Sequence, residues 1–246
     1  MGGRVLGVLG GMGPLATADF FAKLVAMTPA SRDQDHLPVV IVSDPRIPDR
    51  TAALERGDRQ AVLDALLEGV ARLQSSGAHA VVIPCNTAHA WAPLLRERMA
   101  LPLLAITDAA VSMLSERIRP GGKVLVLGTR GTLRFDLYGV PLRLAGFVPA
   151  RLHPRLNAEV AAVIEAVKAG RVAQAQARFA PLFDRVMAAD APPDAILLAC
   201  TELPVAAGGL IGARSELIDA TAALARACIR WATDAATKEG SPCVPC

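Results

Sequence analysis

The chain has 246 residues, of which 52% are hydrophobic and 20% charged, with a formal net charge of +3. That composition supports a large buried core and excludes an intrinsically disordered chain. Its lysines and arginines are scattered, which argues against a nucleic-acid partner, and no apolar run reaches the ~18 residues of a membrane span, so no membrane partner is expected either.

The elements alternate along the chain. Residues 4–9 read as a strand that runs into a glycine turn, followed by a helix over 16–27. Arg4, the apolar stretch after it and Ala16-Thr17-Ala18 imitate a secretory signal. However, Gly7, Gly10, Gly11 and Gly13 interrupt the stretch and Pro14 follows it, as a strand and turn would have it. The expected compartment is the cytoplasm, where thiols stay reduced, so the five cysteines are read as free. Residues 37–43 read as a second strand and 44–50, with two prolines, as a loop. Asp58 is placed to cap a helix in which Val62, Leu63, Leu66, Leu67, Val70 and Leu73 recur at helical spacing, with Gly77 ending it.

Residues 80–83 form a short, wholly apolar run of the kind found in a strand buried on both faces. Residues 103–106 and 123–127 repeat the theme with a helix between them. A helix-rich stretch covers 156–188, residues 195–199 read as another buried strand, and the last helix is expected over 219–233. Strands alternating with helices predict an α/β fold with parallel sheets.

The chain also repeats itself. Val8-Leu9-Gly10-Gly11-Met12-Gly13 is matched by Val126-Leu127-Gly128-Thr129-Arg130-Gly131, and Val82-Ile83-Pro84-Cys85-Asn86-Thr87 by Leu197-Leu198-Ala199-Cys200-Thr201-Glu202. The glycine turn precedes the cysteine by 75 positions in the first copy and 72 in the second. Ile106-Thr107-Asp108-Ala109 and Leu217-Ile218-Asp219-Ala220 supply a third matched pair. Three landmarks in one order indicate two similar α/β halves.

Each cysteine stands just past the carboxyl end of a buried strand, where open α/β sheets bind ligands. A helix N-terminus after it would lower the thiol pKa from about 8.5 toward neutrality. Two thiols in equivalent places on two similar halves suit one kind of chemistry. Inverting a stereocentre through a carbanion needs a base on one face and an acid on the other, and halves related by a pseudo-twofold axis supply one each. Taken singly, either cysteine would read as a small buried hydrophobe.

Asn86, Thr87, Thr129, Thr132 and Thr201 sit in loops at the expected strand ends and suit an α-carboxylate. The turn at Met12 and Gly13 lets a ligand approach the backbone. Its glycine spacing does not fit a dinucleotide fingerprint. Arg50, in a loop stiffened by Pro45 and Pro48, offers a forked guanidinium for a side-chain carboxylate, although an arginine in a polar loop is by default a surface residue. Lys168 reads as an ordinary helix-end lysine. Glu202 is placed either to orient a substrate ammonium or to cap a helix. His89, one helical turn after Cys85, is given a local structural role. Cys228 is read as core. The Cys243/Cys246 pair near the end of the chain is too few ligands for a metal site.

Taken together, Gly10-Gly11-Met12-Gly13-Pro14, Ile47-Pro48-Asp49-Arg50-Thr51, Pro84-Cys85-Asn86-Thr87-Ala88-His89, Gly128-Thr129-Arg130-Gly131-Thr132 and Ala199-Cys200-Thr201-Glu202-Leu203 resemble the aspartate/glutamate racemase family over nearly the whole chain. The resemblance implies two pseudo-symmetric α/β domains with the active site between them. The first would comprise residues 1–105 with 216–246 and carry Cys85; the second, residues 106–215, would carry Cys200. It implies interconversion of L- and D-aspartate, or of the glutamate enantiomers, without pyridoxal phosphate or metal, with Cys85 and Cys200 as the catalytic pair. It also implies a homodimer. Arg50 and Lys168 match positions that recognise the acidic side chain in the family's aspartate racemases. Two other readings stand beside this one: a broad-specificity racemase or related isomerase, which an insensitivity to Arg50 would favour, and an amino-acid-binding protein without catalysis.

Overall fold

The computed structural model describes the backbone of residues 3–239 and the side chains of residues 3–234. The Cys243/Cys246 pair therefore lies outside the described residues. The first half contains β1 (Leu6–Gly10), α1 (Pro14–Met27), β2 (Val39–Ser43), α2 (Arg50–Arg56), α3 (Gln60–Ser75), β3 (Ala80–Val82), α4 (Ala92–Arg98), β4 (Leu103–Leu104) and α5 (Ile106–Arg117). The second half contains β5 (Lys123–Gly128), α6 (Arg130–Arg134), α7 (Gly139–Leu144), β6 (Val148–Ala150), α8 (Pro154–Lys168), α9 (Val172–Met187), β7 (Ala195–Ala199), α10 (Leu203–Ala207), the kinked α11 (Leu210–Ala213), β8 (Leu217–Asp219) and α12 (Ala220–Glu239).

The strands form two four-stranded parallel sheets, in the orders β2-β1-β3-β4 and β6-β5-β7-β8. The second order repeats the first, strand for strand. Both faces of each sheet are covered. Because side chains alternate along a strand, Leu9, Val81 and Ile83 point outward to α3, where Val62, Leu63, Leu66, Val70 and Leu73 meet them. In the second sheet Leu125, Leu127, Ile196 and Leu198 point outward to α8 and α9. Each such buried aliphatic side chain contributes about 1.5–3 kcal/mol of transfer free energy. The alternate residues Leu6, Val8 and Val82 of the first sheet and Val124, Leu197 and Ala199 of the second point into one shared core. Phe20 and Leu24 of α1, Ile106 and Leu114 of α5 and Leu224 and Cys228 of α12 fill it. Cys228 is fully buried there, as a small hydrophobe.

The shared core brings the carboxyl ends of the two sheets to one place. The turn after β1 is held by Thr17, whose hydroxyl accepts from Gly11 N at 2.9 Å and donates to Gly13 O at 3.0 Å. Gly11 has φ +91°, and a Cβ there would lie 2.4 Å from the backbone of Asp44, so only glycine fits.

Several expectations change. The helix over 60–75 has Arg59, not Asp58, at its N-cap position. Asp49 caps instead, accepting from Ala52 N at 2.8 Å, and so starts α2 inside the expected loop. Ile106 opens a helix rather than ending a strand. Strands β6 and β8 are not legible in the sequence, because Val148-Pro149-Ala150 and Leu217-Ile218-Asp219 are short runs broken by a proline and a carboxylate. Pro149 in β6 is tolerated because that strand lies at the sheet edge, where a missing N–H costs no ladder bond. Leu217–Asp219 pairs with β7 and stands in the second sheet, whereas the division at residue 215 had placed it with the first domain. Helix α12 packs against α1 and α5. No helix of the described residues is long and apolar enough to cross a membrane.

Candidate active site

Turns leaving β1, β3, β5 and β7 bound a narrow cleft with about 20 Å³ of free space. Met12, Arg50, Cys85, Asn86, Thr87, Thr129, Lys168, Cys200, Thr201 and Glu202 line it. Of the residues singled out in the sequence, two stand elsewhere. Gly13 lines an outer chamber of about 350 Å³ that shares Met12, Arg50, Lys168 and Glu202 with the cleft. Thr132 lies behind Thr87 and Thr129. The cleft adds Asp49 and Thr51 to the set. Both flank Arg50 in a motif the sequence displays, and only the fold aims them inward.

Cys85 follows β3 by three residues and Cys200 follows β7 directly; each is about 5% exposed, at 6% and 4%. Helical dipoles were expected to lower the thiols. Instead, Cys85 is followed by a 3-10 turn over Thr87–Trp91 and Cys200 by the five-residue α10. Burial pushes the Cys200 thiol well above its ordinary value, and the Glu202 carboxylate adds to the effect. Its Sγ–H donates to Glu202 Oε2 at 2.9 Å, and the hydroxyl of Thr201 approaches the same oxygen at 3.5 Å. Cys200 thus presents itself as a proton donor.

The two halves are tied together at the cleft floor. The hydroxyls of Thr87, Thr129 and Thr132 form a closed ring, with Thr87 at 2.8 Å from Thr129 and 3.1 Å from Thr132, and Thr129 at 3.1 Å from Thr132. Each can donate once and accept once around that ring. A Cβ on Gly131 would lie 2.8 Å from Thr51 Oγ1 and 2.9 Å from Thr87 Cγ2, so α6 enters the junction only because it carries no side chain there. Tyr138, the chain's one tyrosine, is buried, and its hydroxyl donates to Asn86 Oδ1 in a short hydrogen bond. Sequence reasoning passed over it, since nothing local to Tyr138 points to a partner 52 positions away. The bond fixes the Asn86 amide, leaving its buried Nδ2 without a protein partner in a residue that lines the cleft. An unpaired buried donor is costly, so a ligand oxygen there would satisfy it.

Arg50 begins α2 and folds back on its own loop. Its Nη1 donates to Ile47 O at 2.9 Å and Pro48 O at 3.0 Å, while its buried Nε has no protein partner. Lys168 ends α8, 3.7 Å from Glu165. Burial pulls its ammonium down, but Glu202, Cys200, Glu165 and Asp49 together hold it above the usual lysine value, so it stays charged. The cleft therefore holds a guanidinium, an ammonium, an orphan amide donor, hydroxyls, two carboxyl groups (Asp49 and Glu202) and two thiols. Among the described residues no three His, Cys, Asp or Glu side chains converge to hold a metal ion.

His89 is buried beneath Cys85. Ile106 N donates to its Nε2 at 3.1 Å, so Nδ1 carries the proton and donates to Cys85 O at 2.9 Å. It is a neutral strut between the cysteine's backbone and the start of α5. Burial lowers its pKa from 6.5 to about 4. Between those values the unfolded chain binds a proton that the folded chain does not, so stability is full above about 6.5 and is lost as pH falls through about 4. Urea midpoints measured at pH 7 and 4.5 should drop more for the wild type than for His89→Asn; equal drops would remove His89 from the acid response.

Residues 9–228 match the family model described as Asp/Glu/Hydantoin racemase. The chain is 27% identical to the broad specificity amino-acid racemase RacX of Bacillus subtilis, over 92% of this chain and 96% of that one. It is 32% identical to the glutamate racemase of Deinococcus radiodurans, over 72% of this chain and 61% of the other. Among solved structures it is similar to the aspartate racemase of Picrophilus torridus, with a TM-score of 0.80, 33% identity and coverage of 94% of this chain and 95% of that one.

Proposed function

The chain belongs to the Asp/Glu/hydantoin racemase family, and from that premise we propose that it interconverts L- and D-aspartate by proton transfer between two thiols, without pyridoxal phosphate or metal. One observation carries the reading. Two buried cysteines at the ends of equivalent strands in separate sheets line a single cleft that also holds Arg50 and Lys168. In this scheme one sulfur, as thiolate, takes the α-proton. The electron pair left behind delocalises into the α-carboxylate, and the other sulfur delivers its proton to the opposite face. Asn86 Nδ2 and the hydroxyls of Thr87, Thr129 and Thr201 stabilise the charge that grows on the α-carboxylate. Arg50 and Lys168 hold the side-chain carboxylate, and Glu202 faces the substrate ammonium. Met12 and Gly13 form the wall toward the outer chamber, and Thr132 supports the hydroxyl ring from behind.

The assignment of aspartate is supported by the two cations, Arg50 and Lys168, that line one cleft with both thiols. A broader amino-acid specificity is favoured by a different observation: the outer chamber, walled by Leu15, Ile47 and Val167, leaves room beyond Arg50 and Lys168. Incubating each enantiomer of aspartate, glutamate and several neutral amino acids in deuterated water, with no cofactor added, separates the readings. Aspartate should racemise fastest and gain deuterium at its α-carbon. Equal turnover of neutral amino acids would overturn the aspartate assignment, and binding without deuterium uptake would overturn catalysis.

The proposed division of the chain keeps residues 1–105 and α12 with the Cys85 half, and moves the boundary of the Cys200 half to include β8. A cytoplasmic location fits the unpaired state of Cys85, Cys200 and Cys228. A homodimer belongs to the same reading, and the half-exposed Phe21 and Val25, four residues apart on α1, offer apolar surface for it.

A further inference from the structure

Tyr138 stands at the start of α7 in the second half, yet its hydroxyl ends on Asn86, the residue after Cys85 in the first. The turn before it delivers the ring inward. Asp136 takes a left-handed backbone with φ +48°, Gly139 N donates to Asp136 O at 3.1 Å, and a Cβ on Gly139 would lie 2.1 Å from the Asp136 carboxylate. Leu137 N donates to Thr132 O at 3.2 Å, so this turn continues the segment whose Thr129 and Thr132 hold Thr87. One stretch of the second half, residues 129–138, thus grips both residues that follow the first thiol.

The Tyr138 hydroxyl has one use open to it. The side chain is buried, and burial raises its pKa far above the ordinary tyrosine value, so the O–H keeps its proton. Asn86 Oδ1 is its sole hydrogen-bond partner among the described residues. A turned amide would present Nδ2 to the hydroxyl and leave a buried O–H with nothing to donate to, which is costly. The amide is therefore held with its oxygen on Tyr138, and the unpartnered Nδ2 is left for a ligand. Turned the other way, Asn86 would meet a substrate carboxylate with an oxygen instead of a donor.

We propose that Tyr138 is a positioning residue for racemisation: through its hydroxyl, the second half sets which end of the Asn86 amide the first half offers to the substrate's α-carboxylate. This rests on the two-thiol reading of the cleft. Tyr138 does not line the cleft and moves no proton. It supplies preorganisation, since a donor already aimed where charge will grow needs no reorientation when the α-proton leaves. Each half brings a thiol, and the second half also arms the carboxylate site of the first.

A double-mutant cycle of Tyr138→Phe and Asn86→Ala tests this in the full-length protein, read by aspartate racemisation and by urea unfolding without substrate. Tyr138→Phe keeps the ring in the core and removes one oxygen. It should lower kcat about 10- to 100-fold, as a slightly misplaced group does, with KM little changed, because the aim of Nδ2 matters most in the transition state. In the Asn86→Ala background the same change should lower kcat no further, since the group it aims is gone. An unchanged kcat in Tyr138→Phe, a loss carried by KM, or losses that simply add in the double variant would overturn the proposal; the last would make Tyr138 a packing residue. A wild type that racemises aspartate beside an unaffected Tyr138→Phe would leave the two-thiol reading standing and sink Tyr138 alone. If the wild type racemises no amino acid, the two-thiol reading falls and the tether is judged by unfolding. Tyr138→Phe should then lower the urea midpoint only while Asn86 is present, and an equal drop in both backgrounds would remove the tether as well.

Discussion

Replacing Cys85 or Cys200 by alanine should each lower aspartate racemisation by about 10²–10⁴-fold, the usual contribution of one positioned acid or base. Either loss stops inversion, because a proton removed from one face must be replaced from the other. Both cysteines contribute little bulk at the cleft surface, so the fold should survive, and unfolding midpoints would verify this. A finer signature separates the two-thiol scheme from simple damage. With one thiol left, the remaining sulfur can still exchange the α-hydrogen of the enantiomer that faces it. Cys85→Ala and Cys200→Ala should thus each retain deuterium exchange into one enantiomer without inversion, and the enantiomer should differ between them. Near-normal racemisation in either variant would sink the scheme.

The second large effect is expected at Arg50. Arg50→Ala should cut kcat/KM for aspartate about 10- to 150-fold, corresponding to the 1.5–3 kcal/mol of a hydrogen bond to a charged group. The loss should fall chiefly on KM, since a side-chain carboxylate is bound equally in ground and transition states. Nη1 also braces the carbonyls of Ile47 and Pro48, so some loss could come from a loosened loop. Alanine or serine as substrate controls for that, because a loosened loop would slow them as well. Equal losses on aspartate and on the neutral amino acids would show Arg50 to be a structural brace. Arg50→Lys keeps the charge but not the fork, and should recover only part of the aspartate rate.

Much of the fold is legible without coordinates because it is written in contiguous residues. The apolar runs at 80–83 and 195–199 are strands buried on both faces, and a continuous run can mean little else between turn signals. The repeated turn-and-cysteine landmarks anticipate two sheets of identical strand order. Ten of the twelve residues singled out for the site line the cleft, since strand ends in parallel sheets converge by construction. The edge strands β6 and β8 were not legible, nor was the helix start moved by the Asp49 cap, because each depends on one side chain or a short pairing.

What the sequence by itself determined is which groups come to the cleft: two thiols, two cations, an amide and a set of hydroxyls, each carried there by a local strand-and-turn unit. Their chemical state was decided by the tertiary structure. The sequence argument lowered the thiols with helix dipoles, yet Cys200 is held protonated, because burial between two sheets and a neighbouring carboxylate outweigh a five-residue helix. Asn86 offers a free donor only because Tyr138, from the other half, occupies its oxygen. His89 stays neutral down to about pH 4 because it is buried, with Ile106 N at the start of α5 on its Nε2. Desolvation is set by everything that packs around a group, so protonation belongs to the assembled molecule and not to any stretch of its chain.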